Sequence, residues 1–328
     1  MIEASSVSMA NFNAISSFLK QVLDFIFGVV GNYGWSVIIF TLLIRLLVLP
    51  LDIKSKQSMR KTQVLQPKLQ VIQKKYANDK EKLNKKTQEL YKAEGINPLA
   101  GCLPMLISMP VLMCMFTAMR VMANEQIVQM LLNLKDGIEP VFQNWFWVKN
   151  VFQPDSFMAS IIPMFGDPLS QIQGVNGSAI LTAENVAMAK NFVQSAEYSA
   201  IAAQFGASAD TLRYTAKLLM WDIKIPLEFN GLFILPILAA ATSLLSSKLL
   251  NAGQKPQPAA QGDQAQQTNK MMTMMMPLMS LFFCATSNAA FSIYWVFVNI
   301  IQIVQQYLMN VYFERKDAQE SGEIVQAK

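Results

Sequence analysis

The 328-residue sequence contains no histidine and only three cysteines, and charged residues make up only 15% of it. The cysteines, Cys102, Cys114 and Cys284, lie in apolar segments without metal-ligand spacing or an obvious disulfide pairing. We therefore predict no metal site, no cofactor and no enzyme activity. The cysteines are interpreted as small apolar packing residues.

The first thirty residues lack the charged start, short apolar core and small-residue cleavage site of a secretory signal peptide, so no cleaved leader is expected. Apolar residues recur there at the spacing of one helix face, opposite Lys20, Gln21 and Asp24. The pattern predicts an interfacial amphipathic helix on the outer side of a membrane, within residues 1–32. Its apolar face consists of Ile15, Phe18, Leu19, Val22, Leu23, Ile26 and Phe27.

Apolar residues account for 52% of the chain, and the mean hydropathy is +0.28, which is too apolar for an ordinary soluble domain of this length. A membrane span needs roughly 20 apolar helical residues. The sequence therefore predicts an all-α, multi-pass membrane protein with five transmembrane helices. The predicted spans are 33–51, 98–120, 230–250, 271–287 and 289–311.

Positive charge is concentrated in residues 52–97, and within 53–97 twelve lysines and arginines stand against four acids, a balance of +8. Such a segment is expected on the cytoplasmic side, which places the N-terminus outside and the C-terminus inside. Because membrane orientation explains the pI of 9.0, no specific nucleic-acid binding is predicted. Apolar periodicity in this segment predicts a basic helical hairpin, with Asn78 and Glu81 as the cap pair of its second helix.

Three further segments complete the predicted organisation. Residues 121–229 form an outer region with an insertion near 150–220, in which the Pro- and Gly-rich first part is expected to be loop and 182–220 helical. Residues 251–270 are rich in Gln, Pro, Ala and Gly, which predicts a flexible cytoplasmic loop. Residues 312–328 form a cytoplasmic tail.

Arg45 lies inside the first predicted span, with Thr41 one turn earlier on the same face. A charged side chain at the centre of a lipid-facing helix costs about 2.5–3.5 kcal/mol on insertion scales. Arg45 could extend to the cytoplasmic interface, but the hypothesis we favour places it in a hydrated cavity. No acid lies deep enough in any predicted span to neutralise it, so it is a candidate binding charge for a carboxylate on a passing polypeptide.

The last predicted span carries a polar stripe at steps of three and four residues. Such a stripe indicates contact with water or with other helices, and simple interhelical hydrogen bonding is the alternative to a groove. The stripe consists of Ser292, Trp295, Asn299, Gln302 and Gln306.

Five stretches of the sequence together resemble the membrane core of the YidC family of membrane protein insertases. In order, they are YGWSVIIFTLLIRLLVLPLDIKSKQSMRKTQVLQPKLQVIQKKY, YKAEGINPLAGCLPMLISMPVLMCMF, FILPILAAATSLLSSKL, KMMTMMMPLMSLFF and FSIYWVFVNIIQIVQQYLM. The resemblance extends from residue 33 to 312 except for the outer insertion. The large outer domain of Gram-negative members is absent, so the sequence is similar to the shorter Gram-positive form.

The resemblance implies an insertase that captures nascent membrane proteins in a hydrophilic groove, moves short hydrophilic tails across and releases apolar segments into the bilayer. It implies a bacterial plasma-membrane location and several partners: ribosome–nascent chain complexes, the Sec translocon, the signal recognition pathway and membrane lipids. The family's groove arginine corresponds to Arg45 and its neighbour to Thr41. Its substrate-contact positions correspond to Met109, Leu112 and Trp295.

Two other functions remain open from the sequence. A small-solute transporter or anion channel could use Arg45 as its binding charge, although neither an inverted repeat nor paired broken helices are visible. A structural subunit of a larger membrane complex could use the basic hairpin for docking.

Overall fold

The computed structural model describes residues 2–95, 103–165, 169, 172–175, 177–207, 212–218, 221–226, 228–252 and 275–326. Most of these residues are helical, in agreement with the predicted fold class. The helices are α1 Ile2–Val30, α2 Tyr33–Val64, α3 Gln66–Lys75, α4 Lys80–Ala93, α5 Leu103–Lys135, α6 Ala183–Val193, α7 Ala196–Gln204, α8 Ile234–Ala252, α9 Met275–Thr286 and α10 Ala289–Gln326. The strands are β1 Leu212–Leu218 and β2 Trp221–Pro226.

The amphipathic helix predicted at the N-terminus is α1, and a two-residue junction separates it from α2. Gly31 has a positive φ of 72°, and its N–H donates to the carbonyl of Phe27, which ends α1. The Asn32 side chain then accepts from the backbone N–H of Trp35 and begins α2. The apolar face of α1 is split, because Leu19 and Leu23 are buried whereas Phe18 is 64% exposed.

Two helical stretches of the described residues are long and apolar enough to cross a membrane, namely Tyr33–Thr62 in α2 and Ala289–Lys316 in α10. At a rise of 1.5 Å per residue, each is longer than the roughly 30 Å hydrocarbon core. Ile234–Leu249 and Met275–Thr286 are shorter apolar helices. The number of five spans stays a prediction, and the start of the second predicted span, 98–102, lies outside the described residues.

The basic hairpin consists of α3 and α4, which contact each other, and an ion pair of 2.6 Å joins Lys68 to Glu94. The predicted cap is wrong by one residue. Asp79, not Asn78, is the N-cap of α4, and its side chain accepts from the backbone N–H of Lys82 at 3.0 Å. A carboxylate is favoured there because it also pairs with the Lys82 ammonium at 3.0 Å.

The outer region is a packed structure with its own apolar core. The second half of α5 packs against α6, α7 and the preceding loop, through buried residues such as Leu131, Ile162, Leu181 and Tyr198. The helical prediction for 182–220 is correct for α6 and α7 but wrong for 212–218, which form β1 and pair with β2 as an antiparallel hairpin. The sequences LRYTAKL and WDIKIP contain the β-branched and aromatic residues that favour strands.

The chain divides into two compact units. The first comprises Met1–Thr41, Leu112–Ala240 and Met279–Phe297. The second comprises Leu42–Val111, Ala241–Leu278 and Val298–Lys328. Several helices, including α2 and α10, contribute residues to both units, so each polar contact below is assigned to its own unit.

Candidate functional site

Arg45 lies on α2 in the second unit and is partly buried. Its guanidinium donates a hydrogen bond to Oε1 of Gln302 on α10, with a donor–acceptor distance of 3.2 Å. The partner of Arg45 is thus a neutral amide from the polar stripe of α10 and not an acid. Both residues were identified from the sequence, but only the packing of α2 against α10 shows that their side chains are in contact.

The charge of Arg45 has no carboxylate partner within the described part of the chain. The next acid along α2 is Asp52, seven residues on, and it accepts a hydrogen bond of 2.7 Å from Nε2 of Gln305. The contact between Asp52 and Gln305 was not predicted from the sequence. The sequence contains no local signal for this contact, because it depends on how α2 packs against α10, some 250 residues further along the chain.

Three contacts fix the relative direction of α2 and α10 within the second unit. Arg45 contacts Gln302, Asp52 contacts Gln305, and the guanidinium of Arg60 lies 5.1 Å from the ring centroid of Phe313. Because the residue numbers rise together on both helices, these parts of α2 and α10 run parallel. A parallel pair is what the predicted topology requires of the first and fifth spans.

Asn299 also lies in the second unit, one turn before Gln302 on α10. It is only 8% exposed, and its Nδ2 donates to Oγ of Ser243 at 2.9 Å and to Oγ1 of Thr242 at 3.2 Å, both on α8. These bonds satisfy an amide that would otherwise be buried without partners. Asn299 therefore joins α10 to α8.

Two further stripe residues, Trp295 and Ser292, belong to the first unit and are hydrogen-bonded as well. Nε1 of Trp295 donates to Oγ of Ser280 at 3.0 Å, and Oγ of Ser292 donates to the carbonyl of Cys284 at 3.0 Å. Thr41 is fully buried and donates to the carbonyl of Val37 in its own helix at 2.6 Å. Hydrogen bonding between and within helices, the simpler alternative, thus accounts for these three side chains.

The two other predicted contact residues lie on α5. Leu112 is partly buried. The side chain of Met109 lies outside what the structure describes. Their proposed contacts with substrate therefore stay predictions.

Two of the three cysteines are packing residues, as predicted. Cys114 and Cys284 are 1% and 0% exposed, and Cys102 lies outside the described residues. In the described ranges, there is no group of three or more His, Cys, Asp or Glu side chains placed to hold a metal ion.

The surroundings of Arg45 on α2 are strongly apolar and outward-facing. Leu42, Leu43, Leu46 and Leu47 are between 44% and 76% exposed, a surface suited to hydrocarbon. A guanidinium has five N–H donors, and an amide oxygen is the acceptor that the structure gives this one. The arrangement can therefore accept a carboxylate without first displacing a resident anion.

The sequence was compared with protein families and with characterised proteins. A family model described as "60Kd inner membrane protein" matches residues 25–316, which is most of the chain. The match includes α2, the basic hairpin, the outer region, α8, α9 and the apolar part of α10.

Three similar proteins, from different bacteria, each carry the name "Membrane protein insertase YidC". The protein of Clostridium perfringens is 29% identical over 311 residues, which cover 94% of this chain and 90% of that protein. The protein of Fusobacterium nucleatum is 37% identical over 162 residues, 49% of this chain and 70% of that protein. The protein of Leptospira interrogans is 27% identical over 299 residues, 91% of this chain but 34% of that protein, so the chain spans about a third of its length.

Proposed function

Because the chain belongs to the 60Kd inner membrane protein family, the YidC family, we propose that it is a membrane protein insertase and chaperone of the bacterial plasma membrane. Its clients are nascent membrane proteins with short hydrophilic outer tails. The single observation that carries the mechanism is the partly buried Arg45, whose partner is a neutral amide.

The proposed first step is capture of the client on the cytoplasmic side. The basic hairpin of α3 and α4 presents exposed lysines near the predicted membrane surface, where an emerging chain or an acidic lipid headgroup would meet them. Proposed partners at this step are ribosome–nascent chain complexes, the signal recognition pathway, the Sec translocon and membrane lipids. We assign the binding of these partners to the basic hairpin.

The proposed second step places the hydrophilic tail of the client beside Arg45 in a groove. A carboxylate on the tail is attracted by the guanidinium, and the attraction is stronger than in bulk water because apolar side chains lower the local dielectric. Met109, Leu112, Trp295 and the polar residues Thr41, Ser292, Asn299 and Gln302 are the other proposed groove residues. The interaction is temporary since no covalent bond forms, and the apolar segment then enters the lipid.

The test is reconstitution of the purified full-length protein into liposomes that contain no other protein. A single-span client with an acidic outer tail is synthesised in the presence of these vesicles, and its protection from added protease is measured. We expect protected client with the protein and little without it. Equal protection in protein-free liposomes would overturn the proposed function, and a saturable flux of small anions without client insertion would replace it with transport.

A further inference from the structure

The amide group that faces Arg45 is a feature that the insertase function does not by itself require. Arg45 could have been held by a glutamate on α10, as in an ordinary interhelical ion pair, or by nothing. Instead Gln302 supplies an uncharged oxygen at 3.2 Å. An uncharged acceptor orients the guanidinium but leaves its net charge uncompensated.

A second glutamine of α10 binds the acidic residue Asp52 on α2, and it acts as a donor where Gln302 acts as an acceptor. Gln305, one turn further along α10, donates its Nε2 to Asp52 at 2.7 Å. Arg45 and Asp52 are seven residues apart on α2, about 10 Å along the axis. Arg45 and Asp52 are therefore each bound to a glutamine of α10, and not to each other.

We propose that Gln302 is a specificity-determining residue, a neutral placeholder that holds Arg45 in position and leaves its charge for a carboxylate of the client. The inference rests on the proposed insertase function and deepens it. The ligand class that it assigns to this position is an acidic side chain on a translocated tail.

The physical reason is competition between an internal anion and an incoming one. An acid at position 302 would sit next to Arg45 permanently, so its effective concentration would exceed that of any client tail. A client carboxylate would then have to displace an existing ion pair in a site of reduced dielectric. With glutamine, the client gains a charge–charge interaction and gives up none.

The experiment uses the full-length protein in liposomes and two clients that differ only in the outer tail. One tail carries Asp and Glu, and the other carries Asn and Gln at the same positions. The measured quantity is the ratio of acidic-tail to neutral-tail insertion. The variants are Gln302→Glu, Gln302→Leu, and Gln305→Glu as a control that adds the same charge one turn further along the same helix.

We expect Gln302→Glu to lower this ratio about tenfold, the change that 1.4 kcal/mol produces, because acidic-tail insertion decreases by more than neutral-tail insertion. Gln302→Leu should keep the preference for the acidic tail, because it adds no anion. Gln305→Glu should leave the ratio unchanged, since that position faces Asp52. In the Arg45→Ala background, Gln302→Glu should lower the ratio by less than in the wild-type background, because no guanidinium is left for the glutamate to neutralise.

The inference is overturned if Gln302→Glu retains the wild-type ratio, or if Gln305→Glu lowers the ratio equally. It is also overturned if Gln302→Glu reduces both clients together with the melting temperature, which would assign Gln302 a packing role only. These results differ from a failure of the proposed function, in which the wild-type protein would insert neither client.

Discussion

Asp155 in the outer region and Arg45 in the second unit both carry a charge away from bulk water, but their surroundings differ. Asp155 is completely buried, and its two carboxylate oxygens accept four hydrogen bonds of 2.7–3.2 Å. Arg45 is only partly buried and donates to one neutral oxygen. The donors to Asp155 are the backbone N–H groups of Leu232, Phe233 and Leu235 and Nε1 of Trp147.

The difference separates a charge that maintains the fold from one that is available for binding. Asp155 satisfies the N–H groups at the start of α8, which would otherwise be buried without acceptors. Its bonding capacity is used within the protein. Among the residues that the structure describes, Arg45 has donors left for a further acceptor, which is the property that a binding site for carboxylates needs.

The chain around Asp155 is shaped to keep the carboxylate in place. Gly231 precedes the three backbone donors, and a side-chain carbon there would overlap Oδ1 of Asp155. Asn230, which is fully buried, donates to the carbonyls of Asn150 and Pro154. The start of the insertion is thereby joined to the residues just before α8 by buried hydrogen bonds.

The largest stability effect is expected from Asp155→Ala, which would leave buried donors unpaired. At 1–3 kcal/mol for each such group, we expect a loss of about 3 kcal/mol or more in the free energy of unfolding. The measurement is the melting temperature of the purified protein in detergent. Asp155→Asn, which keeps one acceptor oxygen, should lie between the alanine variant and the wild type, and a wild-type melting temperature for Asp155→Ala would contradict the role given to this carboxylate.

A smaller effect on stability is expected at Glu125 on α5. This residue is 9% exposed, and its carboxylate forms an ion pair of 2.8 Å with Lys20 of α1. Burial lowers the pKa of Lys20, but hydrogen bonds and charges of Glu125 and Asp24 raise it by more, so the net shift is upward. The corresponding stabilisation is fully present below pH 10.5, the ordinary value, and is lost as the pH rises through the higher folded value.

Glu125→Gln should therefore lower the free energy of unfolding at neutral pH by about 1 kcal/mol, because the amide still accepts a hydrogen bond but no longer attracts Lys20. Asp24→Asn is the matched control, since Asp24 is the more exposed partner of the same lysine, with a side chain 47% exposed. If both variants melt at the same temperature, the more buried Glu125–Lys20 pair contributes no more to stability than the more exposed Asp24–Lys20 pair, which would contradict this prediction.

At Asp79, whose side chain in the basic hairpin is 40% exposed, only a local effect is expected. The Lys82 backbone N–H and then the Lys82 side chain lower the pKa of this carboxyl below its ordinary value of 3.8. Its contribution to α4 is thus present above pH 3.8 and is lost as the pH falls through the lower folded value. Hydrogen exchange of the α4 amides should accelerate in Asp79→Ala at pH 7, and Asn78→Ala should leave it unchanged.

The smallest effect is expected for the exposed pair of Lys68 and Glu94, whose side chains are 62% and 36% exposed. Surface ion pairs of this kind contribute little because water and salt screen them. Lys68→Gln should leave the melting temperature within experimental error of the wild type. A clear decrease would show that the hairpin depends on this contact.

Much of the helical framework was predictable from local patterns, because a span or an amphipathic helix shows in the spacing of its own residues. The strand at 212–218 was not predicted, because the helix inferred from the Ala-rich residues before it was continued through this segment. The cap of Asp155 on α8 could not be predicted, because it joins residues nearly eighty positions apart and leaves no local signal.

The residues of the candidate site were predictable from the sequence, but the contacts between them were not. A lone arginine in an apolar run and a polar stripe on the last span are sequence features. That Arg45 meets Gln302 while Asp52 meets Gln305 depends on the register of two helices some 250 residues apart. Thr41, which shares a face with Arg45, is bonded to its own helix instead.

The most direct measurement compares Arg45→Ala and Arg45→Lys in liposomes, with clients whose outer tails are acidic or neutral. If an uncompensated positive charge captures the tail, the alanine variant loses insertion of the acidic client and keeps that of the neutral one, the lysine variant retains much of both, and the melting temperatures stay close to wild type. Acidic-client insertion by the alanine variant at the wild-type level would contradict the account.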